Sequence, residues 1–106
     1  MSDQPEQFES VDIIGSVGEY GGTISTTPVA FPVVAGNAIS EFLVLSGDNG
    51  AKKLYVSIGG STYWPSDGIG QNGHVAWSPK GRVTQIYLKG SAANTKYTVI
   101  INFEPN

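Results

Sequence analysis

Glycine and proline interrupt this chain so often that a long helix has almost no room to form. The sequence contains 14 Gly and 6 Pro, and only the intervals 6–14, 37–46 and 91–104 run for nine or more residues without either. Turn-forming residues at such short spacing are typical of domains built from many short strands. The sequence therefore predicts an all-β protein, and 106 residues allow one domain.

The alternation of apolar and polar residues predicts where the strands lie. In the last long interval, every second position is apolar, a period of two that indicates a half-buried strand: Tyr97, Val99, Ile101 and Phe103. Further strands are predicted near residues 29–35, 39–45, 53–58, 61–64, 74–77 and 82–89. Residues 42–45 are apolar at every position, which indicates a strand covered on both faces. Six to eight strands predict an antiparallel β-sandwich or jelly roll.

Turn chemistry predicts how neighbouring strands are joined. Asn49-Gly50 and Gly59-Gly60 each stand between two predicted strands, and both pairs favour the left-handed backbone of hairpin turns. Residues 68–73 match Gly-x-Gly-x-x-Gly, but a strand-like segment follows where a dinucleotide site requires a helix. We therefore interpret 68–73 as a hairpin loop and expect no bound cofactor.

Residues 1–22 differ in charge from the remainder of the chain. Five of the nine acidic residues and no basic residue lie within residues 1–20, whereas four acids and all six bases follow. The segment also carries more apolar residues than a solvated tail needs. We predict an acidic N-terminal arm at 1–22 and a β-sandwich domain at 23–106, with an extra edge strand near 11–14 as the equal alternative. If the arm docks on a neighbour, its apolar anchors are Phe8, Val11, Ile13, Ile14 and Tyr20.

Composition argues against several other locations and chemistries. The chain has no Cys, so it has no disulfide, and this favours assembly inside a cell. The acidic, polar start lacks the pattern of a secretory signal, and no apolar run reaches the roughly 18 residues of a membrane helix. We expect no signal peptide and no membrane partner.

No constellation of residues predicts catalysis or a metal site. His74 is the only histidine, and no Gly-x-Ser-x-Gly sequence accompanies it. His and acidic residues are too few and too scattered for a zinc or calcium site. Nothing in their spacing selects a catalytic pair from the acids of the domain, which are Glu41, Asp48, Asp67 and Glu104. We predict a protein that is not an enzyme.

Two tryptophans suggest one alternative function. Trp64 and Trp77 flank a polar segment that holds Asp67 and Asn72. Aromatic rings beside carboxylate and amide groups are typical of sugar-binding platforms. The other interpretation is that one or both Trp side chains pack in the core. The six basic residues could line a nucleic-acid face with Tyr87, but a pI near 4.8 opposes attraction to phosphate, so no nucleic-acid partner is expected.

Segments 54–64, 75–81 and 85–97 together resemble the small β-sandwich structural proteins of tailed bacteriophage virions. The shared pattern is a Tyr-Val…Gly-Gly hairpin, a polar loop, a strand ended by Gly, and a closing pair of strands. The resemblance covers the chain from about residue 26 to residue 103.

This resemblance implies a non-enzymatic structural component of a phage virion, namely a capsid decoration (cement) protein that binds the assembled shell. It implies synthesis in the host cytoplasm, location in the virion, and several copies or a homo-oligomer. The expected partners are the major capsid protein, other virion proteins or neighbouring copies. The alternative function is a carbohydrate-binding module, or a tail or neck accessory protein that recognises glycan through Trp64 and Trp77.

Overall fold

The computed structural model describes residues 16–105, which form eight β-strands. The strands are β1 (Val17–Ile24), β2 (Val29–Phe31), β3 (Ile39–Ser46), β4 (Leu54–Ser57), β5 (Trp64–Ile69), β6 (His74–Trp77), β7 (Ile86–Gly90) and β8 (Thr95–Phe103). Within the same residues there is no helix long and apolar enough to cross a membrane. The predicted all-β class and number of strands are confirmed.

The strands form two antiparallel four-stranded sheets. Sheet 1 has the order β1-β8-β3-β6, and sheet 2 has the order β2-β7-β4-β5. Strands pair from the two ends of the chain inward, as in one long hairpin folded back on itself to form two sheets: β1 with β8, β2 with β7, β3 with β6 and β4 with β5. This nested order is the jelly-roll form of the β-sandwich, one of the two architectures that the sequence predicts.

Alternation along each strand sends one set of side chains into the space between the sheets. In β3, Phe42 and Val44 are buried while Leu43 and Leu45 are only half-buried. The same alternation holds around Val99 in β8. These inward residues form one apolar core: Ile24, Phe31, Ile39, Phe42, Val44, Leu54, Val56, Ile69, Ile86, Leu88, Val99 and Ile101.

Most connections lead from one sheet to the other, so most of the predicted hairpins are wrong. Only β4 and β5 are both consecutive in sequence and paired with each other, so the hairpin prediction at Gly59-Gly60 is confirmed. The turn at Asn49-Gly50 leads from β3 in sheet 1 to β4 in sheet 2, and residues 70–73 lead from β5 back to β6. Both turns reverse the direction of the chain, but the strand that follows each turn joins the other sheet.

Three predicted strand boundaries are also wrong. β2 ends at Phe31, short of the predicted end at residue 35. Residues 82–85 precede β7 rather than belong to it. Their hydrogen-bonding groups instead join loops: Val83 O accepts from Ile39 N at 2.7 Å, and Gln85 Nε2 donates to the Pro32 carbonyl at 2.9 Å. β5 begins at Trp64, where the predicted strand at 61–64 ends.

The N-terminal boundary of the domain lies before β1. Val17 to Ile24 pair with β8 along the whole length of β1, and Phe103 N donates to Ser16 O at 2.9 Å. Residues 17–22, predicted as part of the arm, are therefore a strand of sheet 1. Ser16 precedes the strand, and residues 1–15 of the predicted arm lie outside the described residues.

Candidate functional site

The two tryptophans meet at the side of the sandwich where each sheet ends. Trp64 of β5 pairs with Val56 of β4, and Trp77 of β6 pairs with Phe42 of β3. Both tryptophans therefore lie on the inner side of an edge strand. Their ring centroids are 5.5 Å apart and the planes are inclined by 53°. Trp64 packs against the core, whereas Trp77 is 49% exposed. The pair closes the seam between β5 and β6, so packing accounts for Trp64 without a sugar ligand.

The polar residues predicted to accompany the tryptophans lie on β5 and in the turn after it. Asp67 is exposed in β5. Asn72 is exposed in the turn and has a φ of 59°, and its N–H donates to Gly47 O at 3.0 Å. That hydrogen bond ties the β5–β6 turn to the β3–β4 connection. The structure thus gives Asn72 a role in joining the two turns.

His74 is exposed at the start of β6, opposite Leu45 of β3. Across residues 16–105, no group of three or more His, Cys, Asp or Glu side chains lies close enough to hold a metal ion. The segment 68–73 leads into strand β6, so the helix that a dinucleotide site needs does not follow it.

One predicted arm anchor belongs to the core. Tyr20 points inward from β1 and packs against it, with its ring centroid 5.5 Å from that of Phe31. Phe31 in turn lies 5.2 Å from the ring of Tyr97. Tyr20 is therefore occupied within its own domain. The other four predicted anchors lie outside the described residues: Phe8, Val11, Ile13 and Ile14.

The outer face of sheet 1 is apolar at its centre. Leu43 of β3 lies between Ile100 of β8 and Ala76 of β6, and Leu45 is the next outward residue along β3. Leu43, Leu45 and Ile100 are half-buried and Ala76 is exposed. The outward positions of a solvated antiparallel sheet are ordinarily polar. We call these four residues the apolar patch.

Charged and polar residues surround the apolar patch unevenly. Glu19 of β1 pairs with Ile100 and so flanks the patch on its β1 side, whereas Glu41 precedes Leu43 along β3 and lies at one end of the patch; both residues are exposed. His74 borders Leu45 toward the other end. An apolar centre with a polar rim is the usual anatomy of a protein–protein interface.

The outer face of sheet 2 has a different chemistry, based on tyrosine and lysine. Tyr55 of β4 lies opposite Lys89 of β7, and the β4–β5 connection brings Tyr63 onto the same face. Lys89 Nζ is 4.3 Å from the centroid of the Tyr63 ring and 5.9 Å from that of Tyr55. Both distances are within the range of cation–π attraction.

A surface pocket of about 480 Å³ opens beside these rings. Its volume lies in the range of small-molecule sites. The lining combines aromatic rings, hydroxyl groups and one ammonium group: Thr26, Tyr55, Tyr63, Ser66, Lys89, Gly90 and Ser91. We call it the tyrosine pocket.

The hydroxyl of Tyr63 is buried and has no hydrogen-bond partner among residues 16–105. Burial raises the pKa of Tyr63 above its ordinary value of 10.0, and the neighbouring Tyr87 raises the pKa further because two phenolates would repel each other. Tyr63 therefore keeps its proton to higher pH than a solvated tyrosine.

Sequence reasoning missed the tyrosine pocket. Tyr55 and Lys89 are 34 positions apart in the sequence, and no local pattern indicates that they share one face with Tyr63. The β4–β5 connection folds back over sheet 2, and Gly60 N donates to Ser57 Oγ at 2.7 Å. The path of this connection brings Tyr63 to the pocket, where its ring forms part of the lining.

A second exposed apolar element is the connection after β2. Val33 and Val34 are 77% and 78% exposed. Gln85 Nε2 holds the base of this connection by donating to the carbonyls of Pro32 and Val33, at 2.9 and 3.1 Å. The two valines are thus presented to solvent on a tethered segment.

In comparisons with known proteins, no family model, curated protein or solved structure matches the chain.

Proposed function

We propose that this protein is a non-enzymatic structural component of a bacteriophage virion, a capsid decoration protein that binds the assembled shell in many copies. The proposal extends the resemblance of segments 54–64, 75–81 and 85–97 to small virion proteins. The jelly-roll topology supports it, because domains of viral capsids commonly have this architecture.

The observation that carries the proposal is the apolar patch. The run at residues 42–45 has the sequence of a strand covered on both faces, yet in the described residues β3 contacts mainly its sheet neighbours β6 and β8, and Leu43 and Leu45 remain only half-buried. A subunit of the shell would supply the missing cover. The carboxylates of Glu19 and Glu41 at its rim favour a partner surface that carries basic groups around an apolar centre.

The N-terminal segment has a place in the same proposal. β1 is the edge strand of sheet 1, and it follows residues 1–15 closely in the sequence. Phe8, Val11, Ile13 and Ile14 would add apolar contacts to the same neighbouring subunit.

The first experiment asks whether the protein belongs to a particle. A lysate that contains phage from the source of this sequence is separated on a density gradient, and each fraction is probed with an antibody against the protein. The proposal predicts that the protein migrates with intact particles. Recovery only in the fractions of free protein would overturn it.

The second experiment asks which face binds. Purified variants are mixed with shells that lack the protein, and binding is measured by co-sedimentation. Leu43→Thr/Ile100→Thr should weaken binding about tenfold or more, because burying each side chain contributes roughly 1.5–3 kcal/mol. Thr keeps the strand preference of both positions.

Tyr55→Thr on the outer face of sheet 2 is the matched control and should bind as the unmodified protein does. Thermal unfolding of each variant confirms that the fold persists. Normal binding by the double variant, or loss of binding only in Tyr55→Thr, would contradict the assignment of the face.

A further inference from the structure

We propose that the tyrosine pocket is a binding site for a sugar that carries a carboxylate group, such as a uronic acid unit of an acidic polysaccharide. This inference is independent of shell attachment, because the pocket and the apolar patch lie on the outer faces of different sheets.

The floor of the pocket is held by backbone hydrogen bonds. Gly90 N donates to Ser25 O at 2.8 Å, and Ser91 N donates to Lys53 O at 2.9 Å. These bonds fix the chain after β7 against both the β1–β2 connection and the start of β4. A site whose backbone is already in place loses little conformational entropy when a ligand binds.

The hydroxyl groups of the pocket match the polar edge of a sugar. Ser91 Oγ accepts a hydrogen bond from Lys53 N at 2.9 Å, so its own proton is free to be donated to a ligand. Thr26 and Ser66 add two further hydroxyls to the lining. Each hydroxyl can both donate and accept, as the hydroxyls of a sugar can.

The aromatic rings match the apolar face of a sugar. Tyr55 and Tyr63 both line the pocket. Gly68 lets β5 approach the ring of Tyr55: a Cβ at this position would lie 3.2 Å from Tyr55 Cε1 and 2.5 Å from Lys53 Cβ, and the φ of Gly68 is +78°. The position of the Tyr55 ring is therefore defined by close packing on its neighbour strand.

Lys89 accounts for the charge of the expected ligand. Its ammonium lies 4.3 Å from the centroid of the Tyr63 ring and 5.9 Å from that of Tyr55, which places the charge beside the two rings that line the pocket. A carboxylate on the sugar would pair with this ammonium in a charge-assisted hydrogen bond, stronger than one between neutral groups. A pocket with one cation, two rings and three hydroxyls thus fits a single acidic sugar unit better than a neutral one.

The test measures binding to the isolated full-length protein by titration followed through backbone amide signals in NMR. The probes are trigalacturonate, its methyl ester, which keeps the rings but removes the charge, and inorganic phosphate. The inference predicts saturable shifts with trigalacturonate that centre on Thr26, Ser66, Gly90 and Ser91. The methyl ester should bind about tenfold or more weakly, and phosphate should not reproduce the shifts.

Variants make the assignment specific. Lys89→Met should weaken binding of trigalacturonate about tenfold or more and leave binding of the methyl ester unchanged, and Tyr55→Ala should weaken binding of both. Lys80→Met, in the β6–β7 connection, and Trp77→Ala, at the seam, are controls that should bind normally.

The inference is overturned by no saturable binding of trigalacturonate, by equal affinity for the acid and its ester, or by normal binding of Lys89→Met. Two further results would also overturn it. If phosphate gives the same shifts as the uronate, the site recognises an anion and not a sugar. Loss of binding in Trp77→Ala alone would move the site to the tryptophan seam.

Discussion

Asn49 shows how one buried polar side chain joins distant parts of the fold. Its Nδ2 donates to Ser46 Oγ at 2.8 Å and to Lys96 O at 2.9 Å, and its Oδ1 accepts from Lys96 N at 2.7 Å. The side chain thereby connects the β3–β4 turn to the start of β8, although Asn49 and Lys96 are 47 positions apart in the sequence.

Replacing Asn49 should therefore destabilise the protein. Asn49→Ala removes three hydrogen bonds at a buried position, and we expect the free energy of unfolding to fall by about 2–4 kcal/mol. Asn49→Asp keeps the acceptor but loses both donors and places a carboxylate oxygen against the Lys96 carbonyl oxygen at a buried position, so its stability should fall at least as far as that of Asn49→Ala. Urea denaturation measures all three proteins, and a loss below about 0.5 kcal/mol in Asn49→Ala would refute the assigned role.

Tyr63 gives a prediction about alkaline pH. Its pKa in the folded protein is raised above 10.0 by burial and by Tyr87, whereas the unfolded chain titrates near the ordinary value. Above pH 10 the unfolded state thus binds fewer protons than the folded state, and stability declines as the pH rises toward the folded pKa.

Tyr63→Phe should show a smaller decline. At neutral pH it should be as stable as the unmodified protein or slightly more so, because the lost hydroxyl has no hydrogen-bond partner within residues 16–105. Thermal unfolding from pH 8 to 11 measures both effects. An identical alkaline decline in the two proteins would mean that Tyr63 does not titrate differently from a solvated tyrosine.

Alternation in the sequence identified the inward side chains, because burial on one face of a strand imposes a period of two. Val56, Ile86, Val99 and Ile101 follow directly from that pattern. Asn49 and Tyr63 do not, since both lie in connections whose partners are supplied by other strands. Residues such as these are determined by the tertiary fold and leave little trace in a local pattern.

Among the elements, β1 determines how many N-terminal residues can be deleted without disrupting the fold. All eight residues of β1 pair with β8, and the strand packs Tyr20 against the core. Its removal would expose the edge of β8, including backbone groups that are now paired.

We therefore predict opposite results for two truncations. Deletion of residues 1–22 should prevent stable folding, whereas deletion of residues 1–15 should leave the fold intact and weaken only attachment to the shell. Circular dichroism and thermal unfolding test folding, and co-sedimentation tests attachment. Normal shell binding after deletion of 1–15 would show that the arm contributes nothing, and a folded product lacking 1–22 would contradict the role of β1.

The predicted hairpins show what local turn chemistry can and cannot decide. Asn49-Gly50 reverses the chain as the dipeptide indicates, and Gly50 has a φ of 60°. Whether the returning strand pairs with the preceding one depends on which sheet has an open position. In this fold β6 and β8 flank β3, so β4 has to join the other sheet.

For the whole molecule, the sequence was sufficient for the fold class but left the choice between a simple sandwich and a jelly roll open. Strand order depends on pairs such as β1–β8, which join residues at opposite ends of the domain. The two outer faces also escaped prediction, since outward residues become a surface only when strand order is known. Leu43, Ile100 and Ala76 are neighbours solely because β8 and β6 flank β3.

We propose that the apolar patch of sheet 1 is the surface that meets the virion shell. Hydroxyl-radical footprinting compares side-chain oxidation in the free and the particle-bound protein. If the patch meets the shell, binding should protect Leu43, Leu45 and Ile100 while Tyr55 and Tyr87 on sheet 2 react as before. Protection of Tyr55 and Tyr87 with unchanged reactivity of the three patch residues would show that sheet 2 faces the shell instead.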